Sequence, residues 1–192
     1  MNTLPAFFAA ALAVLFSPAL PSRAHGPHEH GAARMNLAVE GDSVVIALES
    51  PLANFLSFEH APETDQQKED ARALIARLRK AEDLFRLSGA AGCRLEKVEL
   101  EAEALEDFIR EPSAQEAVHK AGDHPEHGEE GEEHGDLDAE FSFRCSRPAD
   151  LHSLEVALFS VWPALRDIDV QMVTPAGQGS AELTPEQTLI RW

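Results

Sequence analysis

The chain has 192 residues, with 16 basic and 34 acidic side chains and a formal charge of −18. That balance excludes the basic surface that nucleic acid or an anionic membrane requires, and it favours cations as partners. No HExxH, nucleophile elbow, phosphate loop or dinucleotide fingerprint occurs and there is no tyrosine, so the sequence points to binding rather than catalysis.

Residues 1–24 read as a signal peptide. The apolar run over 6–20 is interrupted by Pro18 and is too short to span a bilayer comfortably. Ser22-Arg23-Ala24 offers small residues at the positions a signal peptidase reads, which predicts cleavage after Ala24. The exported chain then begins at His25 and, without Arg23, is one unit more negative than −18. Residues 25–192 are enough for one domain of ordinary size. The new terminus reads HGPHEHG and carries His25, His28 and His30 beside Glu29. It is either a frayed end without a task or a metal-type cluster that the free amine of His25 joins.

A β-hairpin is predicted over 34–48. Met35, Leu37 and Val39 alternate with polar or small residues, Gly41-Asp42 makes the turn, and Val44, Ile46 and Leu48 resume the alternation. Residues 49–62, ESPLANFLSFEHAP, form an irregular connector whose Phe55, Leu56 and Phe58 pack onto the sheet. His60 within it has Glu59 and Glu63 for neighbours, and reads either as a packed structural histidine or as a ligand. Thr64 and Gln67 make a capping box for a helix to about Phe85, with Ala71, Leu74, Ile75, Leu78 and Phe85 on its apolar side. A strand follows over 93–100, with its alternation broken near Glu96-Lys97, and then a fraying helix over 101–118.

Residues 119–136, HKAGDHPEHGEEGEEHGD, hold four histidines (His119, His124, His127 and His134), seven carboxylates and four glycines, with no large apolar side chain. A segment so polar cannot enter a core and is expected to be a disordered, solvated loop. Without the histidines it would read as a plain acidic linker. With them it offers imidazole nitrogen and carboxylate oxygen, the ligands of zinc and other borderline divalent metals. The carboxylates concentrate cations around the imidazoles, which have an ordinary pKa of about 6.5 and are largely unprotonated at neutral pH. Their spacing fits no closed structural site, so a flexible capture loop is expected.

Beyond the loop come a strand over 139–145 with Phe141, Phe143 and Cys145 on one face, and a helix over 148–159 along Leu151, Leu154 and Leu158. His152 on that helix has an ordinary surface or packing role. A strand over 167–174 follows, then a turn at Pro175, Gly177 and Gly179, and a last strand over 188–192. In an exported chain Cys93 and Cys145 are expected to form a disulfide closing the histidine loop, the alternative being a cysteine metal ligand. The order ββαβ, loop, βαββ predicts an α+β fold, a single mixed and largely antiparallel sheet with two packed helices.

The pieces HGPHEHG, ESPLANFLSFEHAP, Leu84-Phe85, the Cys93 region with its histidine-rich acidic loop, FSFRC, LFSVWP and VTPAGQGSAELTP together resemble the ZrgA-type family of periplasmic zinc-uptake proteins. The resemblance implies a periplasmic zinc binder that assists zinc import in Gram-negative bacteria, with a zinc-import ABC transporter or its periplasmic binding protein as partner. Carried onto this sequence, it gives His119, His124, His127 and His134 as zinc ligands, with His25, His28, His30 and His60 as further candidates. Copper or nickel would bind the same donors, so a copper or nickel chaperone or metal buffer is the alternative. A copper enzyme built on the amine and imidazole of His25 is a more remote one.

Overall fold

The computed structural model describes residues 30–110 and 135–192. The hairpin expected at the start forms as strands β1 (Ala32–Glu40) and β2 (Ser43–Pro51). The chain then passes through a 3-10 turn (Leu52–Asn54) to helix α1 (Asp65–Leu78). Strands β3 (Phe85–Leu87) and β4 (Cys93–Glu101) and the short helix α2 (Glu106–Arg110) complete the first part. The second part is β5 (Asp136–Cys145), β6 (Ser153–Val156), the single-turn helix α3 (Leu158–Val161), β7 (Asp167–Thr174), β8 (Gly177–Leu183) and β9 (Leu189–Arg191).

The strands make two sheets, six-stranded in the order β4-β5-β2-β1-β7-β8 and three-stranded in the order β3-β6-β9. The expectation of a single sheet is corrected by this, whereas its mixed and largely antiparallel character holds. Only β1 and β7 of the described strands run parallel. Alternation explains the layering. Met35, Leu37, Val44, Ile46, Leu48, Phe141 and Phe143 point inward and are buried, while Arg34, Asn36, Glu40, Asp138 and Glu140 face water. The small sheet covers part of the inner face, its Phe85 ring lying 4.9 Å from that of Phe141. Ala71, Leu74, Ile75 and Leu78 of α1 join the same core.

Helix α1 begins as its sequence demands. The Thr64 hydroxyl accepts the Gln67 N–H, and the Gln67 side chain accepts the Thr64 N–H in return. It ends at Leu78 rather than near Phe85. Ala81, Leu84 and Phe85 continue the helical spacing, but Phe85 leaves the helix to pair with Val156 in the small sheet. The helix expected over 148–159 is likewise replaced by a 3-10 turn (Pro148–Asp150), β6 and α3. Leu151, Leu154 and Leu158 are all buried as expected, yet Leu154 and Val156 are buried at strand spacing around an exposed Glu155. Two neighbours satisfy the β6 backbone, and the Ser88 hydroxyl accepts the N–H groups of His152 and Ser153. His152 is exposed, which leaves the surface role of the two expected for it. Gly177 and Gly179, read as turn residues, open β8, whose ladder to β7 runs without interruption from Ile168–Leu183 to Thr174–Gly177. Of the helix expected over 101–118, the described part is the end of β4, a 3-10 turn (Glu103–Leu105) and α2.

Cys93 and Cys145 form the expected disulfide, facing each other across the β4–β5 ladder, which removes them as metal ligands. Its place differs from expectation. The bond lies at the start of β4 and the end of β5, whereas residues 111–134 are bracketed by the end of β4 and the start of β5, roughly 25 Å away along the strands. The disulfide therefore pins the far end of the pair. Nearby, Arg144 donates to the carboxylates of Asp42 (2.8 Å) and Glu96 (3.2 Å). The Asp42 contact, and then that of Glu96, raise the guanidinium pKa above its ordinary value. Glu96 stands at the β-bulge where the β4–β5 register shifts, the break visible in the sequence. Replacing both cysteines by serine should cost about 4 kcal/mol of stability in denaturant unfolding, by loss of loop-closure constraint, and should leave zinc stoichiometry unchanged.

Candidate metal centre

The connector 49–62 is rich in apolar side chains but holds one buried amide. Asn54 is 2% exposed and has partners on both of its polar atoms. Its Oδ1 accepts the Gly31 N–H at 2.7 Å, and its Nδ2 donates to the Ala32 carbonyl (2.8 Å) and the Ser50 hydroxyl (2.9 Å). A buried amide so paired fixes the backbone around it. Here it fastens the start of β1 to the end of β2. Gly31 adopts φ +94, and its carbonyl accepts the N–H groups of Arg166 and Asp167. The residue just before it, His30, thus leaves the fold from a fixed point.

His30 Nε2 stands 3.3 Å from Glu59 Oε1. The imidazole is 63% exposed and the carboxylate 17%, so a partly buried acid meets a solvent-facing ring. A nitrogen and an oxygen bound to one tetrahedral zinc at ordinary lengths lie about 3.4 Å apart, so the pair has the separation of two ligands of one ion. His60, next in sequence to Glu59, is exposed, and its Nδ1 lies 2.8 Å from the Ala61 carbonyl. A carbonyl only accepts, so this hydrogen bond requires the proton on Nδ1, and in the neutral ring it leaves Nε2 as the nitrogen available to a metal.

The third strand of the site is Gly135. Its carbonyl accepts the Leu52 N–H at 2.8 Å, and a Cβ placed on it would stand 2.3 Å from the Glu59 carbonyl oxygen and 2.8 Å from Leu52 Cδ1. Only glycine fits there. The chain that carries His134 therefore returns to the fold against the residue that meets His30. Topology makes this possible, since β1 and β5 begin, and β2 and β4 end, at one end of the large sheet.

Of the residues singled out from sequence, His30 and His60 are described and lie at this end, whereas His25, His28, His119, His124, His127 and His134 lie outside the described residues. Among the described residues, no three of His, Cys, Asp and Glu are grouped closely enough to hold an ion alone. Sequence reasoning treated Glu59 only as a neighbour of His60 and missed Asn54. The available signal was an asparagine inside an otherwise apolar run.

The fold and this end of it define an α+β domain that presents imidazole and carboxylate donors. A family model described as ZrgA family zinc uptake protein matches residues 27–192, and the chain belongs to that family. No curated protein matches it. No helix among the described residues is long and apolar enough to cross a membrane.

Replacing Asn54 by alanine would leave the buried Gly31 N–H and Ala32 carbonyl without their amide partner. A loss of about 2–3 kcal/mol is expected, measured by thermal or denaturant unfolding.

Proposed function

We propose that this protein captures zinc in the periplasm and assists its import, passing the ion toward a zinc-import ABC transporter or that transporter's binding protein. Zinc is the cargo. His119, His124, His127 and His134, with His25, His28 and His30, gather it from solution, and Glu59 and His60 provide donors fixed to the domain. The observation that carries this reading is the His30–Glu59 pair at ligand separation, packed beside the glycine where the histidine-rich segment rejoins the fold. Membership of a zinc-uptake family supports the choice of metal. The formal charge of −18 draws divalent cations to the chain. No catalytic step is needed for this role.

A histidine-rich segment pays ordering entropy when it closes on an ion. Donors already held by the domain reduce that cost, which gives the fixed acid its part. Protons compete with zinc for imidazole, so release is favoured on acidification. Copper or nickel would bind the same donors, copper at least as tightly as zinc, and a role as a copper or nickel chaperone or buffer is the second reading.

Competition with a chelating dye tests the proposal. Zinc binding should weaken from about pH 7.4 to about pH 5.5 as imidazoles protonate. Changing His119, His124, His127 and His134 together to alanine should remove most of the stoichiometry while leaving the unfolding transition in place. Glu59→Gln should weaken the remaining binding on the order of tenfold, the equivalent of one charge-assisted contact. Unchanged stoichiometry in the four-histidine variant would sink the capture model.

A further inference from the structure

The two edges of the large sheet are treated very differently. At one edge, β4 carries a bulge between Leu95 and Lys97, gives its Leu95 N–H to the Glu82 carboxylate at 3.0 Å, and has α2 packed beside it. Bulges, charges and covering elements are the usual means of keeping an edge from pairing with another chain. At the other edge, β8 has no bulge and a single charged side chain, Glu182. It reads GQGSAEL, contains no proline or lysine, pairs with β7 without a register shift, and has no described strand beyond it. Gln178, Gly179, Ser180 and Glu182 are all exposed.

The outward groups of β8 follow from its hairpin. The two-residue turn Pro175-Ala176 is closed by the Thr174–Gly177 pair, and antiparallel pairs alternate between bonded and non-bonded from there. Gln178, Ser180 and Glu182 therefore turn their N–H and C=O groups away from β7.

We propose that β8 is a self-pairing edge, through which two copies of this chain join antiparallel about a two-fold axis at Ser180, making one continuous sheet. This register exchanges six backbone hydrogen bonds, two each from Ser180 opposite Ser180 and from the two Gln178–Glu182 pairs. It is also the register that suits the charges. Each Glu182 faces the amide of a Gln178, so no carboxylate meets another across the seam, although the chain is strongly acidic. On the inner face Gly179 meets Ala181, two small residues that let the backbones approach. A foreign basic strand would answer the net charge of the molecule, but β8 itself carries a single acid, and the register that sets each Glu182 against a Gln178 suits a second copy of the chain.

A seam of neutral backbone bonds between two strongly acidic chains gives a particular salt dependence, because added salt screens the repulsion and leaves the bonds. Sedimentation of the chain from His25 onward, across a dilution series at low and high sodium chloride, should show a reversible shift to twice the one-chain mass that strengthens with salt. Hydrogen exchange at the Ser180 amide should slow with increasing protein concentration. Ser180→Pro removes an N–H that β7 does not use, the one position type where an edge strand tolerates proline, and should raise the dissociation constant about tenfold while the melting transition is kept. Ser180→Lys places two like charges opposite each other, and provides the same test if the proline variant melts early. A wild-type chain that stays at the one-chain mass in high salt, or a dimer indifferent to both substitutions, overturns the proposal.

Discussion

The buried Asn54 amide is the constraint on which the donor end of this molecule depends. It sits among apolar neighbours, where an unsatisfied polar group would be costly. It is satisfied only if Gly31, Ala32 and Ser50 stand where they do. The start of β1 and the end of β2, distant in sequence, are thereby held together by one side chain. The position of His30 relative to Glu59 follows from that clasp, while Gly135 is confined to glycine by the Glu59 carbonyl and Leu52.

The molecule separates its fastening from its proposed chemistry. The disulfide and the Arg144 ion pairs lie at the hairpin end of the large sheet. The clasp and the donors lie at the other end. With the tie at the far end of β4 and β5, the strand pair is held without drawing in the residues that bracket the histidine-rich stretch. Glu59 and the exposed His60 lie at the end of the sheet opposite the disulfide.

Much of the fold was legible where local and tertiary preferences agree. The β1–β2 alternation, the Thr64 capping box, the break at Glu96-Lys97, the Phe141-Phe143-Cys145 face and the cysteine pairing all appear as the residues predict. Two of the failures share one cause. Leu151, Leu154 and Leu158 fit a helix stripe, and Leu154 and Val156 equally fit a strand. Ala81, Leu84 and Phe85 extend the α1 pattern while also serving a turn and β3. In each case short apolar spacing suits both periods, and pairing with a distant strand decides. Gly177 and Gly179 carry turn chemistry, yet the β7 ladder makes them strand.

The donor chemistry was readable from composition alone, because imidazole and carboxylate keep their ligand character wherever the chain puts them. The histidine-rich stretches, the acidic field and the resemblance that became family membership all rest on residue identity. What the sequence could not give was adjacency. That His30 meets Glu59, that Gly135 returns against the same residue, and that the disulfide sits at the opposite end follow from strand order and register. Those depend on contacts between residues remote in the chain, and no local pattern encodes them.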